Sequence, residues 1–73
     1  MPRLPVLSGR EAAAMLHRAG WTAVRHQGSH LIFEKEGREE TLSVPLHAEL
    51  RRGTLRTLIR RSGMSVDEFL AFR

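Results

Sequence analysis

The sequence predicts a small α+β domain. In chain order, one helix is followed by three antiparallel strands and then by two further helices. Three observations lead to this prediction: two capping patterns that begin helices, a Gly-Ser turn between stretches of strand composition, and apolar residues at helical spacing. The chain has 73 residues. A chain this short buries only about 60% of the surface that its unfolded form exposes. We therefore expect an extended tail over residues 1–7 and a single domain over residues 8–73, with a small core.

The first helix is predicted over residues 9–19. Ser8 and Glu11 have the spacing of a capping box at its start, and Gly20 supplies the left-handed residue that ends many helices. Leu7 is placed to pack against the first turn from outside the cap. The apolar stripe expected to face the core consists of Ala12, Met15, Leu16 and Ala19.

Strand composition marks residues 21–26 and 31–35, which lie on either side of a Gly-Ser turn. A second tight turn is expected at residues 36–38, followed by a third strand over residues 40–44 that ends before a proline. The three strands then form an antiparallel meander. Helices are expected to cover one face of this sheet and to leave the other face open.

The second helix is predicted to begin at Gly53 or Thr54 and to end before Gly63. Ser65 and Glu68 form a second capping box, which opens a short final helix. The apolar residues expected to reach the core from these two helices are Leu55, Leu58, Ile59, Phe69, Leu70 and Phe72.

Composition limits the function classes. The chain has no cysteine, which excludes a disulfide framework, a thiolate zinc site and a thiol nucleophile. No apolar run approaches the roughly 20 residues that cross a membrane, so we expect a cytoplasmic protein with no membrane partner. The formal net charge is +4, and every cation but Lys35 is arginine, which grips phosphate in a planar fork. This favours nucleic acid as a partner, and a solvated arginine-rich surface is the alternative interpretation.

The order and spacing of several short motifs resemble the HicA toxin family of small bacterial mRNA interferases. The motifs are Gly20–Trp21, Gly28–His30, Val44–His47, Gly53–Leu55 and Ser65–Phe69. The resemblance covers roughly residues 8–73 and implies a fold like that of double-stranded-RNA-binding domains. It also implies an mRNA substrate, a HicB-like antitoxin as protein partner, a monomer when free, and His30 as the catalytic residue.

Imidazole suits the role implied for His30, because it exchanges a proton near neutral pH. The reaction expected is attack of the ribose 2′-hydroxyl on the adjacent phosphate, with His30 as general acid or base and no cofactor. A surface histidine that happens to follow a Gly-Ser turn is the alternative. His47 matches a family motif position and is expected to orient the loop into the second helix, with RNA contact as the alternative.

His26 precedes the same turn and is predicted to lie across from His30, either positioning a phosphate or simply solvated. The spacing of these two histidines would suit a metal site on a helix, but the turn between them and the lack of an acidic third ligand argue against metal. His17 is expected to complement the dipole at the end of the first helix.

An RNA-binding surface is expected around the histidine turn and at the start of the second helix. Backbone amides at a helix start and arginine side chains both bind phosphate. The residues predicted for this surface are Arg25, Gly28, Ser29, Lys35, Arg52, Gly53, Thr54 and Arg56. Acidic residues at the far hairpin end should repel RNA; these are Glu34, Glu36, Glu39 and Glu40. A noncatalytic RNA-binding module and a partner-recognition domain remain alternative functions.

Overall fold

Two helices pack on one face of a three-stranded antiparallel sheet, and a third helix packs against both of them. The computed structural model describes residues 3–73, so the first two residues of the predicted tail lie outside the described chain. In chain order the elements are α1 (Gly9–Arg18), β1 (Thr22–Gln27), β2 (His30–Glu34), β3 (Leu42–Pro45), α2 (Arg52–Arg61) and α3 (Val66–Leu70). The predicted α+β class, with the arrangement of a double-stranded-RNA-binding domain, is confirmed.

The strands pair in the order β1-β2-β3, so β2 is central. Each strand differs from its predicted bounds by one or two residues at either end. The turn between β1 and β2 is only two residues long, so β1 extends to Gln27 and β2 already begins at His30. The third strand includes Pro45, which pairs with His30 as the last residue of β3. Proline fits there because it ends a strand at the edge of the sheet, where its missing N–H is tolerated.

Both predicted capping boxes are present. At α1 the Ser8 N–H donates to Glu11 Oε1 at 2.8 Å, and the Glu11 N–H donates to Ser8 Oγ at 3.0 Å. Ser65 and Glu68 repeat the arrangement at α3. In each box the glutamate carboxylate accepts hydrogen bonds from the backbone N–H and the hydroxyl of the serine. Both bonds lower the pKa of the glutamate, and the backbone bond has the larger effect. Each box therefore stabilises its helix start at pH values above the ordinary pKa of glutamate. This contribution to stability is lost as the pH falls through the lowered pKa of the folded protein.

The core lies between the helices and the sheet and includes the residues predicted for the buried faces of α1 and α2. Its largest fully buried side chains are Trp21, Phe33 and Phe69. Leu7 is also buried, and its carbonyl accepts a hydrogen bond of 2.8 Å from the Leu50 N–H. The segment before α1 thus holds the loop that leads into α2. Within the described residues, no helix is long and apolar enough to cross a membrane.

Arginine side chains fix the direction of α2 relative to the sheet. Arg61 donates through Nη2 to the Thr41 carbonyl at 3.3 Å, which places the end of α2 beside the start of β3. Arg38 donates to the carbonyls of Arg61 and Ser62, which are among the last in the helix. Leu50, just before α2, bonds to Leu7, and Gly9 two residues later bonds to His47, so α2 begins near the end of the sheet where His30 pairs with Pro45.

Candidate functional site

The hairpin turn Gly28–Ser29 presents His30 at the start of the central strand. Gly28 has a φ of 59°, and no residue other than glycine has a positive φ among the described residues. A positive φ at only the first turn position is typical of a type II′ hairpin turn, which suits the twist of the strands. A Cβ built on Gly28 would have no neighbour within 4 Å. The turn is therefore open to a ligand, and the half-buried His30 follows it directly.

His26 does not lie across from His30, so that prediction is wrong. The register pairs Gln27 with His30 and His26 with Leu31. Neighbouring strand residues point to opposite faces of a sheet, and Leu31 packs against the core. His30 therefore points to the open face, and His26 points to the side on which the helices lie. Within residues 3–73, no three His, Asp or Glu side chains form a group arranged to hold a metal ion.

The histidine that does lie beside His30 is His47. The two ring centroids are 6.4 Å apart and the rings meet edge to face, with an interplanar angle of 67°. Pro45 is the strand partner of His30, and His47 follows Pro45 two residues later in the chain. Sequence analysis did not anticipate this neighbour, because it placed His47 in the loop to α2. The one available signal was that His47 lies three residues beyond the expected end of the third strand.

Backbone contacts fix the segment that carries His47. The Leu46 N–H donates to the Ser29 carbonyl at 2.6 Å, which joins this segment to the hairpin turn. The Gly9 N–H donates to the His47 carbonyl at 2.9 Å, which joins it to the first turn of α1. The exposed His47 side chain remains free to contact a ligand.

Gly9 makes this packing possible. A Cβ at Gly9 would collide with the Pro45 carbonyl oxygen and would lie 2.7 Å from Leu46 Cα. Both are backbone atoms, so neither can swing aside as a flexible side chain would. Sequence reasoning missed this role, because a glycine in the first turn of a helix carries no distinguishing pattern.

The start of α2 supplies backbone donors at the same end of the domain. The helix begins at Arg52, one or two residues before the predicted start at Gly53 or Thr54, and its first intrahelical bond runs from the Leu55 N–H to the Arg51 carbonyl. The amides of residues 52–54 precede that bond and have no partner within the helix. The cap residue Arg51 makes no side-chain capping bond. These amides therefore remain available to an anion.

The predicted arginines take different positions. Arg25 is exposed on β1 and pairs with Ile32, so it shares the open face with His30. Arg52 and Arg56 are exposed on one flank of α2, where Arg52 borders a depression formed with residues 4–6 and Arg56 borders one formed with the start of α3. The opposite flank, with Thr54 and Thr57, lines a cavity of about 360 Å³ beside Ser43 of β3. Arg52 lies in the first turn of α2, and Arg56 lies one turn further from the start of the helix.

Lys35 lies at the other end of the sheet, which differs from the prediction that it flanks the histidine turn. It follows the last residue of β2, whereas His30 is the first. Its amine donates to the Ala19 carbonyl at 3.0 Å in a half-buried contact at the end of α1. Glu34, Glu36 and Glu39 line the same shallow depression as Lys35. This acidic end of the sheet is therefore separate from the end that holds His30, which we call the histidine end.

Comparison with known proteins gives a consistent result. Residues 9–64 match the family model described as the HicA toxin of bacterial toxin–antitoxin systems. The fold is similar to a chain in the solved structure of a toxin–antitoxin complex from Streptococcus pneumoniae. That chain shares 33% sequence identity, with a TM-score of 0.68, and the match covers 78% of this chain and 97% of the other. No curated protein sequence matches significantly.

Proposed function

The chain belongs to the HicA toxin family of bacterial toxin–antitoxin systems, and on that premise we propose that it is an endoribonuclease that cleaves mRNA with His30 as a general acid or base. One observation carries the proposal. The half-buried His30 stands on the open face, next to an uncrowded turn and a second histidine, at the end of the domain where α2 begins. An RNA backbone bound there would meet a proton-transfer group and phosphate-binding groups together.

The reaction proposed is attack of a ribose 2′-hydroxyl on the adjacent phosphate. Imidazole exchanges a proton near neutral pH, and such a transfer typically contributes about 10²–10⁴-fold to a rate. The charge that builds up on the phosphate needs hydrogen-bond donors. Backbone amides of Gly53 and Thr54 and the guanidinium groups of nearby arginines are suitable donors. The chemistry needs no metal ion, so chelators should leave it unaffected.

The RNA-binding surface proposed runs from the hairpin turn to the first turns of α2. Gly28 and Ser29 allow close approach of the RNA backbone, because no side chain crowds the turn at Gly28. Arg25 borders the open face, and Arg52 and Arg56 border the start of α2. Lys35 is left out of this surface because its amine already bonds to the end of α1.

The protein partner proposed is a HicB-like antitoxin that covers the histidine end. The similar chain of known structure comes from a toxin–antitoxin complex, and the net charge of +4 favours an inhibitor of complementary charge. An active interferase would damage the cell that makes it, so its active face needs to be masked. We propose that the protein acts in the cytoplasm, where mRNA is translated, and is a monomer when free.

The proposed function is tested by incubating the purified protein with an mRNA, alone and in a translating extract. We expect cleavage in at least one of these settings, resistance to chelators, and suppression by the protein encoded in the neighbouring small reading frame. RNA that stays intact in both settings, although it binds, would instead identify a noncatalytic RNA-binding module. Unaltered cleavage in the presence of the neighbouring protein would contradict the antitoxin proposal alone.

Replacing both Arg52 and Arg56 with alanine should weaken RNA binding and flatten its dependence on salt. Each lost phosphate contact lowers the slope of log affinity against log salt by about 0.7 on single strands. The matched control replaces Arg60 and Arg73, which removes the same formal charge away from the start of α2. Binding is measured at several salt concentrations. A slope that is unchanged in the Arg52 and Arg56 variant, or reduced equally in both variants, would show that these two arginines do not contact RNA phosphates and only keep the helix surface soluble.

A further inference from the structure

Cleavage by 2′-hydroxyl attack needs two proton transfers, and the proposed function assigns a group to only one. The attacking hydroxyl loses a proton and the departing 5′-oxygen gains one. A single histidine serves both only if it changes its protonation state between them. The side chain placed to supply the other transfer is His47, whose ring centroid lies 6.4 Å from that of His30.

The separation suits two groups that act on one phosphate. A proton-transfer group must come within about 2.6–3.2 Å of the atom that it serves. Ring centroids 6.4 Å apart place both imidazoles within reach of one phosphate group on the open face. The rings meet at 67° and are not stacked, so their polar edges are not held against each other.

The position of His47 does not depend on its own side chain. Its segment is fixed by the Leu46 to Ser29 and Gly9 to His47 backbone hydrogen bonds and by the close approach of Gly9 to Pro45. The fold thus holds an exposed imidazole beside His30 without using it as a structural contact. Preorganisation of this kind supports catalysis, because no rearrangement is needed during the reaction.

Three other ionisable side chains lie on the elements and segments next to the pair. Arg25 lies on β1 and shares the open face, Arg10 lies in the first turn of α1 beside Gly9, and Glu49 lies two residues beyond His47. Arginine does not release its proton in proteins, so Arg25 and Arg10 serve as charge partners only. Glu49 is the one carboxylate close in sequence and is therefore the alternative to be tested.

We propose that His47 is the second proton-transfer group of the cleavage reaction, paired with His30 across the scissile phosphate; this inference rests on the proposed ribonuclease function. One imidazole accepts the 2′-hydroxyl proton while the 2′-oxygen bonds to phosphorus. The phosphorus–5′-oxygen bond breaks, and the other imidazole, protonated, donates its proton to that oxygen. The products are a 2′,3′-cyclic phosphate and a 5′-hydroxyl, and the enzyme gains one proton and gives one up.

The first test compares pH–rate profiles for cleavage of one RNA. Wild type should give a bell-shaped profile, because one histidine must be neutral and the other protonated. His47→Ala and His47→Gln should each lower the rate by about 10²–10⁴-fold and lose one limb of the profile. His17→Ala, an exposed histidine at the far end of α1, and Glu49→Gln should both keep the two limbs. Rates are compared at matched folding by circular dichroism.

The second test uses an RNA with sulfur in place of the bridging 5′-oxygen at the cleavage site. A thiolate leaves without being protonated, so this substrate should restore the rate of whichever alanine variant, His47→Ala or His30→Ala, lacks the proton donor. The other variant should stay slow, because its missing group removes the 2′-hydroxyl proton. The restored variant identifies the acid.

Three results would overturn the inference while leaving the proposed function in place. One is cleavage by His47→Ala within about twofold of wild type. Another is slow cleavage that keeps both limbs of the bell, which would give His47 a positioning role only. The third is loss of a limb in Glu49→Gln, which would transfer the second role to that carboxylate. A wild type that cleaves no RNA in buffer or in a translating extract would overturn the ribonuclease proposal itself, and the histidine pair with it.

Discussion

Replacing His30 with alanine is expected to lower RNA cleavage by about 10²–10⁴-fold, the usual contribution of a general acid or base, while RNA binding is retained. The half-buried ring lies on the open face of the sheet and not in the core, so the fold should survive its loss. The phosphate-binding amides and arginines of α2 are untouched. Cleavage is measured on one RNA at matched folding by circular dichroism, and binding is measured in parallel.

The control for this variant is His26→Ala, which removes a histidine of the same hairpin that points to the other side of the sheet. It should cleave at close to the wild-type rate. A 2′-deoxy substitution at the scissile site should block wild-type cleavage, because the attacking hydroxyl is missing. Equal rates for wild type and His30→Ala would remove His30 from the mechanism, and cleavage of the 2′-deoxy substrate would exclude 2′-hydroxyl attack.

Replacing Gly9 with alanine is expected to destabilise the domain by about 3 kcal/mol, the upper end of the usual range for overpacking. The added methyl group would collide with the Pro45 carbonyl and the Leu46 backbone, and it would strain the Gly9 N–H bond to the His47 carbonyl. In a domain of this size each kcal/mol lowers Tm by about 4–8 °C. The expected fall in Tm is therefore more than about 10 °C, measured by thermal unfolding.

The matched control is Gly53→Ala, in the first turn of α2. A Cβ at Gly53 has no neighbour within 4 Å, and alanine is favoured over glycine in helices by about 1 kcal/mol. This variant should be as stable as wild type or more stable. Similar losses in the two variants would show that the close approach at Gly9 is unimportant. Gly9→Ala should also lower cleavage at temperatures where it is folded, because the segment carrying His47 is displaced.

Local patterns determined most of the fold. The capping boxes at Ser8 and Ser65 depend on side chains and amides only three residues apart, so the sequence alone specifies both helix starts. The apolar faces of α1 and α2 follow from helical spacing in the same way. The Gly-Ser sequence predicts the position of the hairpin turn, because a positive φ at the first turn residue favours glycine. The motif beside this turn is also the local signal that predicts a role for His30.

Strand register and long-range packing were decided only by the tertiary structure. The length of the hairpin turn set whether His26 or Gln27 faces His30, and a shift of one residue moves a side chain to the other face of the sheet. Three contacts join residues far apart in the chain. They are the bond of Lys35 to the end of α1, the close approach of Gly9 to Pro45 and the pair of His30 and His47. No local pattern encodes such contacts, because they exist only once helices and strands have packed around a shared core.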